Sequence, residues 1–216
     1  MRRSQVRALF GPHKMYVMKY NKNEMAFIKH VKTVCKIYGV KCSLRKSTYV
    51  KMDGNVRCSG WFDESAPELV VAINRTDWIE ILAHEYSHLT QWVEQVPIWK
   101  DAEVSLSKVW EWLDGKTRKN IAHHISVARD LELDNEKRSV KVIKEFKLGV
   151  NIDEYIRKAN AYVQFYNWML ITRKWSKPNN SPYKNKILKA AMSNKFNMKY
   201  TSLTPRLEKI FREQEI

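Results

Sequence analysis

One stretch of the sequence constrains the fold more than any other. Residues 76–96 contain neither proline nor glycine, and apolar residues recur in them at helical spacing. The pattern predicts a helix through DWIEILAHEYSHLTQWVEQ, capped by Thr76 or Asp77 and stopped by Pro97. The apolar positions of this helix are Trp78, Ile81, Leu82, Leu89, Trp92 and Val93.

The same helix carries the sequence AHEYSHL at residues 83–89. His84 and His88 are four residues apart, so both imidazoles lie on one helix face and can hold the same ion. Glu85 is rotated about 100° from His84, so it does not compete as a ligand and can reach a water beside the ion. This H-E-x-x-H spacing is typical of a catalytic zinc site with a glutamate general base. The alternative is a pair of ordinary histidines on an amphipathic helix.

A catalytic zinc ion needs a third protein ligand. The densest acidic cluster on a predicted helix is ARDLELDNEKRSV, residues 128–140. Glu132 and Glu136 lie one turn apart there, where like charges repel unless a cation is near. One of the two can bind the metal while the other supports a histidine ligand. The downstream residues that remain open as third ligands are His123, His124, Asp130, Glu132, Asp134 and Glu136.

A zinc peptidase also benefits from a group that stabilises the tetrahedral oxyanion. Tyr162 and Tyr166 are one turn apart in NAYVQFYNW, a spacing at which aromatic residues more often pack in a core. The other candidates are His123, His124 and Arg129.

The pairing of AHEYSHL with ELDNEK resembles the gluzincin group of zinc metallopeptidases, in which a later glutamate completes an HExxH site. In related gluzincins the second element often reads E-x-E-A-D. The resemblance implies one zinc ion per chain, held by His84, His88 and Glu132, with Glu85 as general base and Glu136 orienting a histidine. The chain departs from that pattern with Glu136 in place of aspartate and Asn135 in place of alanine.

A broader resemblance covers most of residues 68–185 and includes EKRSVKVIKEF and IRKANAYVQFYNW. These segments resemble uncharacterised metallopeptidases of tailed bacteriophages. The resemblance implies a zincin-like (gluzincin) fold and a peptidase that acts on a protein or peptide, in the host cytoplasm if the chain is phage-encoded. Two histidines and a carboxylate also suit iron(II), and the geometry of an HExxH helix favours zinc.

The order of predicted elements gives an α+β fold. A helix over residues 23–38 ends at Gly39. Residues 40–74 read as a small, mostly antiparallel sheet with a hairpin turn at Asp53–Gly54 and a strand at 68–74.

The second half of the chain is predicted to be helical, with helices over 103–113, 117–146 and 153–175. A loop at 177–183 precedes one or two weaker helices. We divide the chain into a basic arm (1–22), a zincin-like domain (23–176) and a basic extension (177–216) that packs on or flanks the domain.

The formal net charge of +16 is unevenly distributed. Residues 1–60 carry +12 and residues 151–216 carry +8, whereas residues 61–110 carry −6. An acidic centre favours a divalent cation, and basic flanks attract polyanions. The alternative function is therefore a nucleic-acid-associated binding protein on a zincin scaffold, with structural or vestigial zinc. A basic, solvated surface would also explain the flanks.

The remaining composition excludes several classes of protein. With 44% hydrophobic and 12% aromatic residues, the chain can form a core and is not a disordered protein. No apolar run is long enough to span a membrane. The three cysteines form no disulfide framework or CxxC motif, which predicts a reducing, cytoplasmic environment, with Cys35 as a core thiol.

Overall fold

The computed structural model describes residues 20–52, 56–177 and 180–216, and it is a mixed α+β structure. Seven helices and five strands are seen in those residues. In chain order they are α1 (Lys22–Ile37), β1 (Lys41–Arg45), β2 (Val50–Lys51), β3 (Arg57–Cys58), β4 (Gly60–Asp63), β5 (Glu68–Ala72), α2 (Trp78–Val93), α3 (Pro97–Leu113), α4 (Ile121–Glu145), α5 (Ile152–Thr172), α6 (Lys186–Ala190) and α7 (Pro205–Glu213).

The chain divides into two compact units. The sheet unit holds the described residues up to Glu94 together with Arg138–Val150, and the helical unit holds Gln95–Lys137 and Asn151–Ile216. The division falls inside α4, so this one continuous helix contributes residues to both units.

The sheet has three strands in the order β1–β5–β4. β4 and β5 are antiparallel, as expected, but β1 runs parallel to β5, with Lys41 opposite Glu68 and Arg45 opposite Ala72. The prediction of a mostly antiparallel sheet therefore needs correction for β1. Hydrophobic alternation indicates which face of a strand is buried but not the direction of its neighbour, so the sequence could not reveal this pairing.

The other two strands form a separate antiparallel ribbon, in which Val50 pairs with Cys58 and Lys51 with Arg57. The predicted turn at Asp53–Gly54 lies outside the described residues. The strands on either side of that turn pair as a hairpin requires.

Helix α1 forms close to its predicted bounds. The Asn21 side chain accepts hydrogen bonds from the backbone N–H groups of Asn23 and Glu24, and Glu24 in turn accepts one from Asn21, which completes a capping box. At the other end, Gly39 adopts φ +69°, the left-handed conformation that glycine favours after a helix. The expected arm at 1–22 thus ends within this helix start, and residues 1–19 lie outside the described residues.

The core face of α1 consists of Phe27, Val31 and Cys35, all nearly fully buried. The prediction that Cys35 is a core thiol is confirmed, and the three cysteines are free.

Two helices of the chain differ from prediction at their N-terminal ends. α3 begins at Pro97 rather than at residue 103, because proline is well suited to the first position of a helix, where its missing N–H costs nothing. α4 begins at Ile121 rather than 117, directly after Asn120, which has φ +55°.

The helical unit is built around α5. The aromatic and aliphatic residues of α5, among them Phe165, Trp168 and Met169, are buried with Leu188 of α6 and Phe211 of α7. The predicted weaker helices in the last 30 residues are thus present and contribute to this core. Within the described residues, no helix combines the length and hydropathy that crossing a bilayer requires.

Candidate metal centre

Helix α2 buries the whole motif. Almost every residue from Trp78 to Leu89 is buried, and α2 packs on β4 and β5. His84, Glu85 and His88 each have 0% exposure. Polar side chains in such a setting carry a high desolvation cost unless they bind one another, a ligand or a metal.

The start of α2 differs from expectation in one respect. Asp77 occupies the N-cap position but makes no capping hydrogen bond. Its carboxylate instead accepts two hydrogen bonds from the guanidinium of Arg75, at 2.8 and 2.9 Å. Arg75 also donates to the backbone oxygen of Thr48, which ties the entry to α2 to the loop after β1.

Three of the predicted residues come together. One potential ligand atom from each of His84, His88 and Glu132 lies within 4.8 Å of the other two, and all three side chains are buried. The rings of His84 and His88 have centroids 4.9 Å apart and stand nearly perpendicular to each other. This buried group of two imidazoles and a carboxylate could hold a metal ion.

The ring of His88 is oriented by a residue that the sequence analysis missed. Its Nδ1 lies 2.9 Å from Oε1 of Gln91, which is also fully buried. An amide oxygen only accepts hydrogen bonds, so Nδ1 carries the proton and Nε2 presents its lone pair. A glutamine three residues after the second histidine, on the same helix, was the signal available in the sequence.

Glu132 and Glu136 have different surroundings on α4. Both are buried, but the group of potential metal ligands found among the described residues contains Glu132 and not Glu136. Glu136 accepts a 2.6 Å hydrogen bond from the Tyr155 hydroxyl of α5. Glu136 therefore has a fixed neighbour on α5, which the acidic pattern alone did not indicate.

Two turns after Glu132, α4 packs against α2. Ser139 is two turns after Glu132, and its hydroxyl lies 3.1 Å from the hydroxyl of Ser87 and 3.5 Å from the Ala83 carbonyl. Ser87 also donates to Ala83 O at 2.8 Å. These small side chains allow close approach of α2 and α4 and set the rotation of α4.

Glu85, the candidate general base, packs closely against the backbone of β4 at Gly60. A methyl group built on Gly60 of β4 would lie 3.2 Å from Cγ of Glu85, 3.0 Å from the Ile81 side chain and 2.9 Å from the Val70 carbonyl. Only glycine at position 60 lets the sheet approach α2 this closely.

The remaining candidate ligands have other surroundings. His123 is exposed, and Nδ1 of His124 lies 3.1 Å from the hydroxyl of Ser105. Burial lowers the pKa of His124, and the nearby His123 and Lys108 lower it further. Asp130 pairs with Arg129 at 2.8 Å.

Among the oxyanion candidates, Tyr162 and Tyr166 are buried side by side with their hydroxyl oxygens 3.2 Å apart. Burial raises the pKa of both phenols well above the usual range, and the carboxylate of Glu132 adds to the rise. Both are thus neutral phenols close to Glu132. Arg129 is buried and donates to Asn167 as well as to Asp130.

The chain matches no protein-family model, no curated protein and no solved structure.

Proposed function

We propose that this protein is a zinc-dependent metallopeptidase of gluzincin type. The observation that supports it best is the convergence of His84, His88 and Glu132 beside a buried Glu85. Two neutral imidazoles and one carboxylate are the ligand set of a catalytic zinc ion with one open position.

The ligand set fits zinc in chemistry and in charge. Zinc binds histidine nitrogen and carboxylate oxygen at about 2.0–2.2 Å, and second-sphere groups commonly fix the histidine tautomer. Gln91 does so for His88. The buried carboxylates of Glu85, Glu132 and Glu136 also favour a cation among them, because burial of several anions together is otherwise costly.

The chain's own residues have distinct parts in the proposed reaction. A bound zinc ion would supply Lewis acidity and lower the pKa of a coordinated water to about 7. Glu85 accepts a proton from the attacking water and delivers it to the amine nitrogen of the leaving peptide. Its burial against Gly60 holds the carboxylate in place for both transfers.

The metal part of the proposal is tested by elemental mass spectrometry of the purified protein. We expect about one zinc per chain, lost in His88→Ala and in Glu132→Ala, because each removes one of three protein ligands. His123→Ala and Glu145→Ala, exposed positions on α4, are matched controls and should keep the metal.

The alternatives give different results in the same experiment. Loss of zinc in Glu136→Ala but not in Glu132→Ala would make Glu136 the third ligand. Iron in place of zinc would correct the identity of the metal and leave the proposed ligand set unchanged. A wild-type protein that takes up no metal after zinc addition would overturn the proposal.

The catalytic part is tested separately with Glu85→Gln. This variant should keep zinc and lose peptidase activity on an unfolded protein such as casein, because the amide cannot take the proton. Unchanged hydrolysis by the variant would overturn the assignment of Glu85.

A further inference from the structure

A concave site lies in the sheet unit, between α1 and β1. It is a cavity of about 580 Å³ whose lining residues are Tyr20, Met25, Ile28, Lys29, Lys32, Thr33, Lys36, Leu44, Lys46 and Ile73. We call it the α1–β1 groove. Its volume is in the range of ligand-binding pockets.

The charge of the groove has one sign. Lys29, Lys32, Lys36 and Lys46 are all exposed, and none of its lining residues is acidic. The nearby Glu24 is held in the capping box of α1 by its bond to the backbone of Asn21. Four ammonium groups around one concavity repel one another, so the site favours an anionic occupant.

The three α1 lysines form a row. With a rise of 1.5 Å per residue, Lys29 and Lys36 are separated by about 10 Å along the helix, with Lys32 between them on the same side. A row of this length matches a linear chain of anions better than a single carboxylate.

The apolar floor of the groove favours single-stranded nucleic acid over an acidic peptide. It contains apolar surface from Met25, Ile28 and Leu44, and the ring of Tyr20, which packs on Trp78 at a centroid distance of 5.2 Å. Bases of a single strand have flat, weakly polar faces that pack on such surface while phosphates meet lysines. An acidic peptide offers carboxylates but little to cover the apolar floor.

We propose that the α1–β1 groove binds single-stranded nucleic acid, with phosphates on the α1 lysines and bases on the floor. This site is independent of the metal centre and of the proposed peptidase activity.

The test is binding of a fluorescent oligothymidine of about 20 nucleotides to the full chain, by anisotropy over a range of salt concentrations. In Lys32→Gln/Lys36→Gln we expect weaker binding and a salt slope reduced by about 1.4, because each phosphate contact on a single strand contributes about 0.7. Lys141→Gln/Lys144→Gln, exposed on α4 in the same unit, changes the net charge equally and should bind like the wild type. Circular dichroism checks that both variants fold.

Three outcomes would overturn the proposal. The first is no binding by the wild type at about 20 mM salt, where phosphate contacts are strongest. The second is equal weakening in the two double variants, which would indicate net charge rather than the groove. The third is displacement of the oligonucleotide by polyglutamate of equal charge as readily as by unlabelled oligothymidine, which would indicate an acidic peptide as ligand.

Discussion

At the scale of single residues, the position of Glu85 depends on the absence of a side chain at residue 60. The added methyl group of Gly60→Ala would lie within 3.0 Å of backbone and of Ile81. We expect a loss of about 1–3 kcal/mol in the free energy of unfolding and lower peptidase activity with zinc retained. Urea denaturation and turnover assays measure the two effects.

The control for that variant is Gly149→Ala. Gly149 has φ +69° with open space around its Cβ position, so alanine there causes backbone strain without a clash near Glu85. Activity should fall only in Gly60→Ala, and equal activity in both variants would show that the contact with Glu85 is unimportant.

The Gln91 side chain allows a second test at this scale. Gln91→Ala removes the acceptor from His88 Nδ1, and we expect zinc affinity to fall by about 10–100-fold with the fold retained. Competition with a chromogenic chelator measures this. Gln164→Ala is a poor control because it removes another buried amide, whereas Gln95→Ala, at an exposed position, should leave zinc affinity unchanged.

At the scale of elements, α5 has a polar row that holds the segment between α6 and α7. Asn160 donates to the carbonyls of Ser193 and Lys195, and the hydroxyl of Tyr200 donates back to its side-chain oxygen at 2.6 Å. Gln164 and Asn167 donate to the carbonyls of Lys199 and Tyr200 in the same segment. A segment with no regular structure thus has its backbone groups satisfied by one helix face.

Replacement of Asn160 by alanine should therefore be costly. Two carbonyls and a hydroxyl would lose their partner in a partly buried setting. We expect a loss of at most about 1–3 kcal/mol per unsatisfied group, reduced where water enters. Urea denaturation measures it, and Asn197→Ala, at an exposed position, should change the free energy of unfolding much less. Equal losses would contradict this role for the row.

The burial of Tyr200 in this segment predicts that stability depends on pH. Burial raises the pKa of Tyr200 to about 12, so its protonated form is favoured in the folded chain. The stabilisation is complete below about pH 10, the ordinary tyrosine pKa, and is lost as the pH rises towards 12. In Tyr200→Phe the free energy of unfolding should decline less steeply between these values, and an unchanged alkaline slope would count against it.

Sequence patterns predicted the individual helices better than strand pairing and the contacts between elements. The long amphipathic patterns predicted α1, α2, α4 and α5 to within a few residues. A helix with one buried face carries apolar residues at a regular spacing that is visible in the sequence. The parallel pairing of β1, the start of α3 at Pro97 and the salt bridge of Asp77 depend on neighbours that are distant in sequence or on competition between local partners. His84, Glu85 and His88 could be selected from spacing alone, whereas the contacts of Gln91 with His88 and of Tyr155 with Glu136 are revealed only by the structure.

At the scale of the whole molecule, the chain combines a buried group that could hold a metal ion with a strongly basic composition. The first depends on three residues, and the second on 39 lysines and arginines against 23 acids. The two features predict different salt responses. Hydrolysis of a small neutral peptide should vary little with ionic strength, whereas binding of nucleic acid should weaken steeply.

The contact between Ser139 and Ser87 also limits where residues can be inserted into or deleted from α4. Seven residues separate Glu132 from Ser139, which is close to two helical turns. One inserted residue between them would turn Glu132 by about 100° away from the face that meets α2, and no neighbouring loop could absorb the change. Related sequences should vary in length before α4 and after it, and should keep this interval constant.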